Sequence, residues 1–589
     1  MKRVLNYNLS SVNKNKSDNR HFVLLTLVVF MLLNFGSLGA KNYIINTSSE
    51  LSAISSSLNP GDTVKLSART WTNEELLFTG VGTKENNIVL SVESKQQTIL
   101  TGSSKLRIYG EYLTVDGLRF ENGYSDGGAV VEFRKSSSQL ATNCRLTNTS
   151  ILNYNPADKD EDYKWVSVYG VNNRVDHCHF EGKEHSGTTL VIWIGDEPNY
   201  HSIDHNYFGA RPDLGYNGGE AIRIGTSSNS MKESRTIVEY NLFEACDGEI
   251  EIISNKSCFN TYRYNTFRNN DGCLTLRHGN DCEVYGNYFV GENKSSGGVR
   301  IIGERHKVYN NYFEGLKGDD YRSAICLMNG VPNSPLNRYF QVKDAVVAFN
   351  TIVNCKMPIS IGTGEDSEKT LPPLDCVMAN NVIDKTSGSN NITIEDEPIN
   401  MLWEGNVINA DASDESVNGG ISFVNPNLEN KAYMWRPSAS NVLLGSAVGN
   451  YEYVATDIEE QSRDENKTIG CDNGEVSADW YPLNKEDVGP YSGTQEEDVS
   501  IASITEVNDM VIAQMENEKC HFKILKEHYR PIKYLVSDLS GRLIAQGELG
   551  QKLTIDMKEI QMYLVIFYSE NQYVQRYKLL KNQINRLSN

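Results

Sequence analysis

The chain has 589 residues and a formal charge of −20, from 56 Lys plus Arg against 76 Asp plus Glu. Only 22% of residues are charged while Gly (46) and Tyr (31) are plentiful, which describes a turn-rich β protein and excludes a coiled coil, a collagen or a disordered chain. Such an acidic chain has no general field for polyanions, so nucleic acid is not an expected partner.

Lys2, Arg3, Lys14, Lys16 and Arg20 precede an apolar run from Phe22 to Phe35, followed by the small residues Gly36, Ser37, Gly39 and Ala40. That is the order of a secretory signal, and the run is too short for a comfortable membrane span. Residues 1–40 are therefore expected to direct a bacterial protein to the periplasm, the cell surface or the medium. No Cys ends the run, so a lipoprotein anchor is not indicated. The 11 cysteines are scattered from Cys144 to Cys520 without CxxC pairs or zinc spacing, and read as small buried fillers.

Leu51 to Leu58 has a short helical pattern ended by Pro60-Gly61-Asp62, which suits a cap over the open end of a repeat array. The repeat itself is Asn, any residue, then Phe or Ile. It occurs at Asn206, Asn241, Asn265, Asn287, Asn311, Asn350, Asn381 and Asn406, at spacings of 35, 24, 22, 24, 39, 31 and 25. A minimum of 22 to 24 is the length of one coil of a parallel β-helix, with Asn stacking at the turn and insertions lengthening some coils. DGLRF at Asp116 and DHCHF at Asp176 read as degenerate earlier coils. A leucine-rich repeat would show a Leu framework, which is absent. The expected fold is all-β, a right-handed parallel β-helix over 41–495.

Strand alternation divides each coil into inward and outward residues. In Ala221-Ile222-Arg223-Ile224, Glu249-Ile250-Glu251-Ile252, Leu274-Thr275-Leu276-Arg277 and Val299-Arg300-Ile301, the aliphatic residues are expected inside. Arg223, Glu249, Glu251, Thr275, Arg277 and Arg300 are then one outward stripe on strands about 4.8 Å apart. Two carboxylates at i, i+2 raise each other's pKa unless a cation intervenes. Calcium takes carboxylate and Asn oxygens, and Asn217 and Glu220 lie just upstream in NGGE. Simple pairing of Arg223 and Arg277 with the glutamates is the alternative.

Lys256, Arg263, Arg268, Arg277, His278, Lys294, Arg300, Arg305, His306 and Lys307 concentrate basic groups in an otherwise acidic chain. That is the footprint of an anionic substrate, with a solvated basic sheet edge as the alternative. A uronic acid polymer suits the combination. Removing its C5 proton builds charge on the adjacent carboxylate, which a divalent cation neutralises. A lysine with a depressed pKa can take the proton, whereas an arginine, always charged, is better suited to stabilising charge.

NGGEAIRIG (217–225), NLFEACDGEIEIISNKS (241–257), YRYNTFRNNDGCLTLRHG (262–279), GGVRIIGERHKVYNNYFEG (297–315) and NGVPNSPLNRYFQVKDAVVAFNTIVNC (329–355) together resemble polysaccharide lyase family 6, the alginate lyases and chondroitinase B. With VATDIEEQSRDENKTIGCD, the resemblance covers roughly residues 42–490. It implies β-elimination with Lys256 as base and Arg277 as acid or charge stabiliser. It makes Asn217, Glu249 and Glu251 calcium ligands, with Glu220 a fourth. Arg223, His278, Arg300 and Arg305 are the expected substrate-binding side chains. LTLRHG and RIIGERH look more like the alginate members, so alginate is the first expected substrate and dermatan sulfate the second.

From Ser413 to Tyr491 the repeat fades into a polar, loop-rich stretch, expected to pack along the outside of the coils. Residues 496–589 read as a linker and a small β-sandwich. Val536-Ser537-Asp538-Leu539-Ser540-Gly541-Arg542 resembles the turn of type IX secretion sorting domains, which implies secretion machinery as a partner. A glycoside hydrolase on the same fold needs two carboxylates placed as acid and base; the Lys and Arg beside Glu249 and Glu251 favour a lyase. A non-catalytic polysaccharide-binding surface protein is the reading of a different class.

Overall fold

The computed structural model describes residues 40–490, except 216, 411–418 and 478–479, and the strands between Val511 and Leu587. The expected signal up to residue 39, the linker at 496–499 and the turn Asp538–Arg542 lie outside the described residues.

Three sheets of fourteen strands each, almost wholly parallel, run from Asn42 to Phe423. Most coils contribute one short strand to each sheet, which is the parallel β-helix read from the sequence, with the right-handed crossovers that parallel strands require. Helix α1 (Ser48–Ser55) begins earlier than its apolar pattern suggests, because Thr47 caps it by accepting from the Glu50 amide. Its Leu51 is wholly buried.

The Asn repeat has two physical parts. Each Asn Oδ1 accepts from the backbone N–H of the Asn one coil earlier, at 2.9–3.1 Å from Asn206 through Asn406. The residue before each Asn is left-handed: His205, Tyr240, Tyr264, Gly286, Asn310, Phe349, Asn380 and Gly405 all have φ between 51° and 66°. That turn throws the amide inward, and the aromatic residue two positions after Asn then enters the core. Phe208, Phe243, Phe267, Phe289 and Phe313 form a continuous stack with ring centroids 4.6–4.9 Å apart. Each buried amide bond is worth about 1 kcal/mol. Repetition fixes the register of the whole array.

The ten described cysteines are buried free thiols. Cys178, for example, donates its amide to Asn206 Oδ1. Residues 428–489 pack along the outside of the coils, through Trp435 on Tyr312, Arg463 on Asn310 and Gly489 on His205. The strands from Val511 to Leu587 form two antiparallel sheets, of three and five strands.

Candidate active site

Four consecutive strands of one sheet carry the site: β1 (Ile222–Gly225), β2 (Glu251–Lys256), β3 (Cys273–His278) and β4 (Val299–Ile301). Their outward column is Arg223, Ser254, Thr275 and Arg300, paired in register. The strict alternation expected for Glu249 to Ile252 is wrong. β2 is irregular between Glu251 and Ile253, so Ile252 and Ile253 are both buried while Ile250 is half-exposed. Ser254, not a glutamate, is level with Arg223. Glu249 and Glu251 come from the approach to the strand and its first residue, each 7% exposed.

Two glycines bring the acidic groups together. A Cβ on Gly219 would stand 2.0 Å from the Gly248 carbonyl oxygen, and one on Gly248 would stand 2.2 Å from the Gly219 oxygen. Only bare backbones approach so closely, and the next residues are Glu220 and Glu249. Glu220 is 3% exposed and accepts from Thr188 Oγ1 at 2.8 Å. Buried Arg211 grips the Glu220 carbonyl oxygen at 3.0 Å together with the carbonyls of His185 and Gly187. Burial, then the charges of Glu220 and Glu251, push Glu249 up to about 9. Asn217 is exposed at the turn before Gly218. Among the described residues, no three acidic, His or Cys side chains already converge as a metal site. Yet buried carboxylates that raise one another's pKa are the donor chemistry that a hard divalent cation satisfies.

Glu251 joins this cluster to the cations. Its Oε1 lies 3.8 Å from both Arg277 Nε and Arg300 Nη1. Burial holds the Arg277 guanidinium below its usual pKa. Burial also opposes charge on Arg300, but Tyr339 and Glu251 outweigh it and raise its pKa. Half-buried Lys256 follows on the same strand, near enough to lower Glu249 and His278 electrostatically. His278 is 2% exposed, and burial, then Arg277 and Lys256, bring it down to about 3, so its imidazole is neutral.

The sequence reading missed Tyr339 and Tyr321. Both lie in the long interval between Asn311 and Asn350, where the repeat gives no register. The segment carrying Tyr339 folds back beside Gly330, where any side chain would strike Gln341. Its ring lies 4.1 Å from Arg277 Cζ, and its hydroxyl accepts from Arg300 Nη2 at 3.1 Å. Tyr321 covers Arg300 at 4.9 Å, and Trp193 faces Arg223 at 5.6 Å.

Arg305 does not join the site. It pairs with Asp281 and Glu304 at a turn, and its side chain is 45% exposed. Much of the basic concentration is likewise ion-paired away from the site: Arg263 with Glu239, Lys294 with Asp247 and Lys307 with Glu283. Arg223 Nε, Thr275 Oγ1, His278 Nδ1 and Arg300 Nε are buried polar atoms without a hydrogen-bond partner, all on β1, β3 and β4.

The chondroitinase B family model matches residues 45–441. Among solved structures, the chain is similar to the PL6 family alginate lyase AlyGC, at 37% identity and a TM-score of 0.66, over 75% of this chain and 59% of that one. It is also similar to a mannuronic acid specific polysaccharide family 6 lyase from human gut microbiota, at 33% identity and a TM-score of 0.58, over 65% of this chain and 91% of that one. A third similar structure is the PL6 family polysaccharide lyase Pedsa3628 from Pseudopedobacter saltans, at 28% identity and a TM-score of 0.57, over 64% and 94% of the two chains. The chain thus spans about 59% of the length of AlyGC. A sequence search of curated proteins gives no significant match.

Proposed function

Because the chain belongs to the chondroitinase B family, whose family 6 relatives are polysaccharide lyases, we propose that it cleaves alginate by calcium-assisted β-elimination. The product carries a C4–C5 double bond at its new non-reducing end. The observation that carries this reading is the convergence of Lys256, Arg277, Arg300 and Glu251 on one sheet face.

Asn217, Glu220, Glu249 and Glu251 would hold the calcium, which when bound neutralises the uronate carboxylate. Lys256 takes the C5 proton. Arg277 and Arg300 face the negative charge that develops, already oriented by Glu251 and Tyr339, so little reorganisation is needed. Arg223, level with Ser254 on the same face, and neutral His278 are the side chains that bind the sugar.

Alginate is preferred because AlyGC and the gut enzyme are described as acting on alginate and mannuronate. Dermatan sulfate is the second reading and rests on the name of the family model. The expected N-terminal signal and C-terminal sorting domain put the activity outside the cytoplasm, with the secretion machinery as a partner. Incubation of the purified chain with each polymer, followed by ultraviolet absorbance of the unsaturated product, tests the reading. Activity on alginate that disappears in Lys256→Ala supports it. Binding without any unsaturated product, equal in the wild type and Lys256→Ala, points to a non-catalytic surface binder.

A further inference from the structure

β-Elimination needs two proton positions: one that accepts from C5 and one that donates to the departing O4. Lys256 serves the first. Arg277 is poorly suited to the second, since a guanidinium holds its proton across the working pH range. We propose that Tyr339 is the proton donor to the leaving oxygen. This rests on the lyase reading above.

The argument is geometric. Tyr339 is half-buried, and its hydroxyl lies against Arg300, one of the outward column of the sheet face. Arg300 Nη2 donates to that hydroxyl at 3.1 Å, which occupies an oxygen lone pair and leaves the phenolic proton for another acceptor. The ring lies against the Arg277 guanidinium at 4.1 Å, and Arg277 Nη1 donates to the Arg338 carbonyl at 3.3 Å. The Val331 amide donates to the Tyr339 carbonyl at 2.8 Å, anchoring the backbone behind the ring. The phenol is therefore held against both site arginines, on the strands that follow Lys256.

In the step, the C5–H bond breaks and its proton joins the Lys256 amine, giving an ammonium. The electron pair forms C4=C5 and the C4–O4 bond breaks. O4 takes the Tyr339 proton and leaves as an alcohol. The tyrosinate is left facing Arg300 and Arg277, with Lys369 5.8 Å from the ring centroid; Arg338, the preceding residue, is engaged by Glu368. Solvent then resets both groups, so no further reactant is required.

The test uses Tyr339→Phe and full-length protein in which Tyr339 alone is replaced by a fluorinated tyrosine, each checked for an unchanged melting temperature. The expected result for Tyr339→Phe is a fall in kcat of about 100-fold or more with little change in KM. A synthetic uronate with an activated aryloxide at C4 needs no proton on its leaving group and should restore most of the rate. The fluorinated protein should shift the alkaline limb of its kcat profile to lower pH. A Tyr339→Phe protein whose defect lies in KM alone would make Tyr339 a binding residue and overturn the proposal. So would an equal loss on both substrates, or an unmoved alkaline limb. Absence of unsaturated product from the wild type on every polymer would instead remove the lyase reading itself.

Discussion

Lys256 is paired across the sheet with His278 rather than with Arg277, because the register between β2 and β3 slips by one residue after Asn255. Asn255 occupies an inward position between Ile224 and Leu276 and is wholly buried. Its Nδ2 donates to the carbonyls of His278 and Ser257, while its Oδ1 accepts from Asn260 and Tyr262. Every polar group of that amide is engaged, which makes it the peg that holds the slip. Asn255→Leu leaves the Tyr262 hydroxyl and an Asn260 N–H without this acceptor. Unfolding in urea should show a loss of about 2–6 kcal/mol, from roughly 1–3 for each of the two stranded groups. Activity should fall by more than the unfolded fraction explains, because Lys256 and Arg277 lose their relative placement.

The close approach of Gly219 and Gly248 makes a separate prediction about the cation. A methyl group on Gly219 meets backbone on the other side, which cannot swing away as a side chain would. Gly219→Ala should therefore move Glu220 away from Glu249 and weaken calcium binding at least tenfold by calorimetry, while the Asn ladder keeps the coils folded. Unchanged calcium affinity would place the cation elsewhere.

The raised Glu249 carboxyl sets a pH dependence whose sign is fixed. Its folded pKa of about 9 exceeds the ordinary carboxylate value of 4.5, so the folded state binds more protons than the unfolded state between those limits. Stability of the chelated protein should therefore fall as pH rises through that window. Calcium should remove the decline by favouring the ionised carboxylates. Melting temperatures of the wild type and Glu249→Gln, with and without chelator, check this: the variant should lose the slope assigned to Glu249.

Arg300 and Arg305 separate the site from its surroundings. Arg300→Ala removes one of the two arginines facing Glu251 and the donor to Tyr339, and should lower kcat/KM about 100-fold. Arg305→Ala breaks an exposed ion pair with Asp281, an interaction of a kind worth about 0–1 kcal/mol, and should leave kcat/KM within about twofold. Steady-state kinetics on one polymer settles both.

The sequence displays what repeats and conceals what departs from repetition. Asn-x-Phe was legible because each coil needs a left-handed turn, an amide in the ladder and an aromatic in the stack. That Lys256, Arg277 and the two glutamates are neighbours could be expected from motif resemblance and charge. The slip at Asn255 and the irregularity after Glu251 were hidden, because alternation assumes that every residue advances the strand by one step. Tyr339 was hidden by the insertion that carries it, and Arg305 was misplaced because linear proximity to Arg300 says nothing about which side of a coil a residue occupies.

The most direct measurement is ultraviolet absorbance of the wild type and Lys256→Ala incubated with polymannuronate, polyguluronate and dermatan sulfate, each with calcium and with chelator. The account predicts absorbance rising on an alginate block with the wild type, suppressed by chelator and absent in a folded Lys256→Ala protein. A rise that Lys256→Ala retains, or no rise on any of the three polymers from folded wild type, would contradict it.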